Sequence, residues 1–163
     1  MRVGVLTVSD GVSRGTRQDE SGAALEAWVE DMGYELACRA VVPDEALEVT
    51  ARLLEWCDTS TCDVVITTGG TGLTSRDVTP EATRAALDRE APGIAEALRA
   101  AGRTSTPYAA LGRGVAGTRG GTLVVNLPGS TSAVSEGLAV LAPLLEHAVA
   151  LLRSEPTDHN VEV

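Results

Sequence analysis

The chain of 163 residues contains no lysine; all 13 of its basic residues are arginine. That absence excludes a P-loop lysine, a Schiff-base lysine and the ATP-binding lysine of a kinase. Histidine is nearly absent as well, with only His147 and His159, neither near the glycine-rich motifs. The three cysteines, Cys38, Cys57 and Cys62, are an odd number in or beside apolar runs. Without a neighbouring histidine or second cysteine pair they read as small buried residues, not as zinc ligands or a disulfide framework. No unbroken apolar run approaches 18 residues, and Met1 to Val8 reads as a strand and not as a secretory leader. A cytoplasmic location with no membrane contact is the expectation. A cationic surface is also missing: 13 basic against 23 acidic residues leave a net charge of −10, and the arginines do not cluster. Nucleic acid is therefore not an expected partner. Aromatics make up only 2% of the chain and carry no interface signal.

What is present is an alternation of short apolar runs and helical patterns. Val3–Val8, Asp63–Thr68 and Thr122–Asn126 are β-branched runs ending at glycine-rich or polar turns, as expected of strands covered on both faces. Tyr34 to Val42 reads as a further strand. Leu25, Trp28, Val29 and Met32 repeat at helical spacing, as do Val134, Leu138, Leu141, Leu145, Val149 and Leu152, and Glu45 to Cys57 forms another helix. This order predicts an α/β domain with a mostly parallel sheet. Thr79 is the expected N-cap of a helix that begins with Pro80 and runs through ATRAALDRE. Pro92-Gly93 should separate it from a helix over 94–101, and Pro143 should kink or divide the last helix. Gly112 to Gly121, with five glycines, predicts a hairpin before the Thr122 strand. One domain over 1–153 with a polar, fraying tail over 154–163 is expected.

In an open parallel sheet, ligands bind where loops leave the carboxyl ends of the strands. Three such loops are rich in glycine and hydroxyls: Ser9-Asp10-Gly11, Thr68-Gly69-Gly70-Thr71-Gly72 and Pro128-Gly129-Ser130-Thr131-Ser132. Glycines let backbone N–H groups approach an anion, and the hydroxyls add donors without charge, so the three loops can form a phosphate cradle. Any one of them alone is equally well read as a tight turn. The run Gly70 to Ser75 lacks the third glycine of the dinucleotide fingerprint, which argues against a nicotinamide cofactor. Two acids adjoin these loops, Asp77 after Arg76 and Asp44 after Pro43. Carboxylates beside an anion cradle suit a magnesium ion shared with phosphate oxygens. Asp44 can equally serve as a cap for the following helix, and Asp77 can pair with Arg76 or the backbone.

At these residues the chain resembles the Mog/MoaB family of molybdenum-cofactor biosynthesis proteins. The resemblance rests on Val65 to Asp77 (VITTGGTGLTSRD) continuing into Val78 to Thr83, together with Val8-Ser9-Asp10, Asp19 to Gly22, Pro43-Asp44-Glu45 and Asn126 to Ser130. It covers Arg2 to Leu152 with the motifs in family order. It implies a three-layer α/β domain that assembles as a homotrimer. It also implies adenylyl transfer from ATP to the terminal phosphate of molybdopterin, with magnesium and with release of pyrophosphate. Under it, Asp44 and Asp77 are the catalytic and magnesium-binding acids. Ser9, Asp10, Asp19, Ser21, Thr68, Gly69, Gly70, Thr71, Gly72, Arg76, Pro128, Gly129 and Ser130 would hold the nucleotide and the pterin. A molybdate-inserting protein is an implied partner. One departure is Arg14, which stands where many relatives have a serine. Two other functions fit the same residues: a nucleotide pyrophosphatase on this fold, and a non-catalytic molybdopterin-binding scaffold.

Overall fold

The long apolar runs become the centre of a six-stranded sheet in the computed structural model, which describes residues 1–155. The strands are β1 (Arg2–Val8), β2 (Glu35–Val42), β3 (Val64–Thr68), β4 (Arg89–Glu90), β5 (Ala116–Arg119) and β6 (Thr122–Leu127), in the order β2-β1-β3-β6-β5-β4. The first four in that order are mutually parallel, while β5 and β4 add an antiparallel edge. The helices are α1 (Asp10–Ser13), α2 (Glu20–Asp31), α3 (Ala46–Asp58), α4 (Thr79–Ala86), α5 (Pro92–Gly102) and α6 (Thr131–Leu152), with a 3-10 helix over Pro107–Leu111.

Alternate residues of each central strand face opposite layers, which is why the runs are apolar without interruption. Val3, Val5, Val64, Ile66, Leu123 and Val125 pack with α2 and α6. Leu6, Val8, Val65 and Val124 pack with α3 and α4 through Val49, Leu53, Trp56, Ala82 and Ala86. The result is the expected three-layer arrangement. Gly4 lies where the sulfurs of Cys38 and Cys62 meet at 2.8 Å, and a Cβ there would stand 2.7 Å from one sulfur and 2.9 Å from the other. All three cysteines are free, and burial pushes the Cys57 thiol up to about 11, as befits an inert core residue.

Several expectations need correction. α4 starts at Thr79 itself and ends at Ala86; Arg89–Glu90 leaves the predicted helix to pair with β5. Pro92 opens α5 instead of preceding it, because its missing N–H is harmless in a first turn. Pro143 does not divide α6, which is continuous over 22 residues. By length and composition alone α6 could cross a membrane, with a mean hydropathy of 1.4 over 18 residues. Val134, Leu138, Leu141, Leu145 and Val149 line one stripe of α6 that is buried against the sheet. The hairpin forms as expected, with Gly120-Gly121 between β5 and β6. The polar tail lies outside the described residues beyond Glu155, as does His159.

Candidate functional site

The carboxyl ends of β1, β2, β3 and β6 open onto one cavity of about 1100 Å³. β1 sends its connection to β2 on one side while β3 lies on the other, so the crevice falls where the strand order reverses. The volume lies at the upper end of the range for small-ligand pockets. Ser9, Asp19, Ser21, Asp44, Thr68 to Gly72, Asp77 and Pro128 to Ser130 all line it. Asp10 and Arg76 do not. The Arg76 guanidinium donates to both Asp10 oxygens, at 3.0 and 3.1 Å, and to Glu45 at 2.8 Å, so the expected ligand-binding arginine is turned into an ion-pair cluster on the rim.

The loop after β3 is held by its own carbonyls. Gly69 and Gly70 have φ of +94° and +64°, a conformation costly for any residue with a Cβ. The Thr79 hydroxyl donates to Gly69 O at 2.9 Å and the Thr79 N–H to Gly70 O at 3.1 Å. Thr79 therefore does not cap α4, as the sequence pattern suggested, but pins the loop. In a trans peptide the N–H points opposite to the C=O, so anchoring these carbonyls turns the N–H groups of Gly70 and Thr71 away from Thr79. The Thr68 hydroxyl donates to Pro128 O at 2.8 Å and ties this loop to the one after β6. There Ser130 caps α6, its hydroxyl accepting from Ala133 N at 3.3 Å, which sets the α6 N-terminus at the cavity wall. Such a terminus favours anions.

The four acids divide by partner. Asp10 pairs with Arg76, and that hydrogen bond lowers its pKa. Asp19 caps α2 through Gly22 N and accepts from the Thr7 hydroxyl and the Arg39 guanidinium. Burial alone would raise the Asp19 carboxyl, but these three donors outweigh it and hold it low. Asp44 and Asp77, in contrast, form no ion pair among the described residues. Asp44 accepts from Asp10 N at 2.7 Å and its own N–H donates to Asp10 Oδ1 at 3.2 Å. It does not cap α3, whose cap position is Glu45, and lines the cavity instead. Burial, followed by the charges of Asp10 and Asp77, raises the Asp44 pKa. Burial also works to raise Asp77, but hydrogen bonds from Thr74 and the Gly72 backbone and the charge of Arg113 hold it below the usual range.

Sequence reasoning missed several residues of the cavity. Arg39, which pairs with Asp19 from outside the cavity lining, was visible as a charge inside an apolar strand. Asn126, buried at the end of β6, donates to the Thr67 and Thr83 hydroxyls at 2.9 and 3.0 Å and accepts from Val115 N at 3.1 Å. The wall formed by Leu98, Arg99, Thr106, Tyr108 and Leu111 carried no signal, because it forms from α5 and an isolated 3-10 turn.

Fold and site together define a class: a doubly covered α/β sheet whose strand ends offer N–H groups, a helix terminus and two unneutralised carboxylates, a chemistry suited to phosphate-bearing ligands. A family model described as "Probable molybdopterin binding domain" matches residues 4–147. The molybdopterin adenylyltransferase of Escherichia coli (strain K12) is 40% identical over 141 residues, 85% of this chain and 72% of that protein. Gephyrin of Dictyostelium discoideum is 40% identical over 164 residues, 94% of this chain but 23% of that protein. Other curated relatives are likewise longer, the chain spanning 25% to 49% of their length. The crystal structure of the molybdopterin biosynthesis enzyme MoaB from Thermus thermophilus aligns with a TM-score of 0.88 at 48% identity, over 96% of this chain and 99% of that one. The chain belongs to the Mog/MoaB family of molybdenum-cofactor biosynthesis proteins.

Proposed function

We propose that the chain is a molybdopterin adenylyltransferase. An oxygen of the terminal phosphate of molybdopterin bonds to the α-phosphorus of ATP, the bond from that phosphorus to the β-phosphate oxygen breaks, and pyrophosphate leaves. The observation that carries this reading is the pair Asp44 and Asp77, which line one cavity beside the glycine-rich loops and form no ion pair among the described residues. Of the four aspartates carried by these loops and the α2 cap, arginine pairs with Asp10 and Asp19 and leaves Asp44 and Asp77 outside any ion pair.

Two carboxylates completed by phosphate oxygens are the usual protein share of a magnesium site, and no group of three or more potential ligands forms a closed cage among the described residues. Asp44 and Asp77 would hold the ion, which when bound supplies charge neutralisation at the phosphates. The Gly70 and Thr71 N–H groups and the α6 N-terminus orient the phosphates. An attacking phosphate is already ionised at neutral pH, so the absence of a histidine or lysine base is no obstacle. We also propose, from the family resemblance, a homotrimer; sedimentation of only monomer at working concentration would count against it.

The test combines purified protein with molybdopterin, ATP and magnesium and follows pyrophosphate and adenylylated pterin by mass, with Asp77→Asn alongside. Transfer by the wild type, lowered about a hundredfold or more in the variant, is expected for loss of a preorganised electrostatic group. A chelator should abolish transfer. Binding of molybdopterin without transfer would support a scaffold instead, and hydrolysis of ATP without transfer a pyrophosphatase.

A further inference from the structure

The segment from Gly72 to Asp77 has no regular secondary structure, yet it must present the Asp77 carboxylate at a fixed place. Within the segment, Thr74 N donates to Asp77 Oδ2 at 2.8 Å and Asp77 N donates to Thr74 O at 3.1 Å. Those two bonds make the turn self-consistent but do not tie it to the sheet. The Arg76 side chain tethers the middle of the segment to Asp10 and Glu45 on the rim, and a second tie, at the segment's two ends, comes from a residue 36 positions away from Asp77 in sequence. Arg113 Nε donates to Gly72 O at 2.7 Å, Nη2 donates to Asp77 O at 2.7 Å, and Nη1 pairs with Glu81 at the start of α4. One guanidinium thus grips both ends of the turn.

Arg113 is itself held firmly. Its backbone N–H donates to Thr71 O at 2.9 Å. Two residues on, Val115 N donates to Asn126 Oδ1 at 3.1 Å and Asn126 N donates to Val115 O at 2.9 Å, which locks the segment to central strand β6. Gly114 lies so close to β6 that a Cβ would stand 3.2 Å from Asn126 O, and Gly114 O accepts from Arg99 Nη1 at 3.0 Å. A clasp anchored to the sheet transmits the sheet's rigidity to the turn.

We infer that Arg113 is the positioning residue for Asp77, holding the Gly72 and Asp77 carbonyls so that the carboxylate stays fixed relative to Asp44 across the cavity. The inference rests on the proposed function for its kinetic consequence, but not for its structural one. Only arginine can do this, because its planar fork carries five donors in fixed directions and reaches three acceptors at once, whereas lysine offers a single point of attachment. Arg113 touches neither phosphate in this reading and acts through Asp77 alone.

Two measurements on Arg113→Lys test it. In the transferase assay kcat should fall about tenfold to a hundredfold, the scale of an ångström misplacement at a reacting centre. In an Asp77→Asn background the same substitution should cost less than about threefold, since the group it positions is gone. Amide hydrogen exchange gives a readout independent of activity: the Thr74 and Asp77 amides should exchange at least about tenfold faster while those of β3 and β6 keep their protection. Equal kcat losses in both backgrounds, or unchanged exchange at Thr74 and Asp77, would overturn the inference. A wild type that transfers nothing would sink the proposed function and leave the exchange result to judge Arg113 by itself. If Arg113→Lys fails to fold, Arg113→Ala refolded with methylguanidinium, which restores the fork without the tether, is put through the same exchange measurement; protection unaffected by the additive would again overturn it.

Discussion

Replacing Asp44 by asparagine should make the protein more stable and nearly inactive. The asparagine Oδ1 can still accept from Asp10 N, now 2.7 Å from the carboxylate, so the loop after β2 keeps its anchor. What disappears is a charge that the fold does not welcome. Burial, then the charges of Asp10 and Asp77, all push Asp44 toward its neutral form. Like charges facing one another at a partly solvated site repel by about 1–3 kcal/mol. Arg76 on Asp10 and solvent at the cavity mouth offset part of this, leaving a gain of about 1 kcal/mol. For a chain of this size that raises Tm by about 2–4 °C, while turnover falls about 10²–10³-fold through loss of a preorganised charge. The pH dependence has a definite sign. A carboxyl whose folded pKa lies above its unfolded value favours the fold below about pH 4, and that contribution is lost as pH rises through the folded pKa. The advantage of Asp44→Asn is therefore full near neutrality and vanishes toward pH 4. Thermal unfolding by circular dichroism between pH 4 and 8, with pyrophosphate release alongside, checks both halves. A lower Tm at pH 7, or undiminished turnover, would refute the charge assignment.

Gly70→Ala should lose both stability and activity: the left-handed backbone costs about 1 kcal/mol, and the new Cβ would stand 3.0 Å from Asp44 Oδ1 and press on the Thr79 hydroxyl, displacing the loop. A drop in Tm of about 2–4 °C with at least a tenfold loss of turnover is expected, and full activity would count against the loop assignment. Asp63→Asn should destabilise without touching the site, because the buried carboxylate accepts from Arg2 N, Arg2 Nη2 and Arg153 Nη2 at 2.7, 2.9 and 2.9 Å and so joins the first strand to the end of the last helix. Burial alone would raise that carboxyl, but the arginine bonds hold it far below the usual range, so its contribution is present above about pH 4 and lost as pH falls. A cost of about 1–3 kcal/mol at pH 7 in denaturant unfolding, closing in acid, is the expected result.

How much of the fold could be read from the chain differed by element. β1, β3 and β6 were legible because a strand covered on both faces must be apolar at every position, a pattern that needs no partner to recognise. β4 was not. Arg89 and Glu90 are exposed, continue a helical pattern, and become a strand only because β5 offers an unpaired edge. The loops of the candidate site were legible from glycine and hydroxyl content, since backbone approach to an anion requires small residues wherever it occurs. Arg76 misled for a simple reason: adjacency to Asp77 in sequence says nothing of which carboxylate the long side chain reaches, and it reaches Asp10 and Glu45.

By itself, then, the sequence determined the layered α/β class and the chemical inventory of the site: backbone N–H groups, hydroxyls, carboxylates and arginine, with neither lysine nor a nearby histidine. It left undecided which acids stay unneutralised and what holds them. Tertiary structure decided that Arg39 and Arg76 neutralise Asp19 and Asp10 while Asp44 and Asp77 face the cavity unpaired, and that Arg113 clasps the Asp77 turn. The physical reason is that charge pairing and hydrogen bonding act through a few ångströms of space, and residues 20, 36 and 66 positions apart come within that range only when the sheet brings their strand ends together.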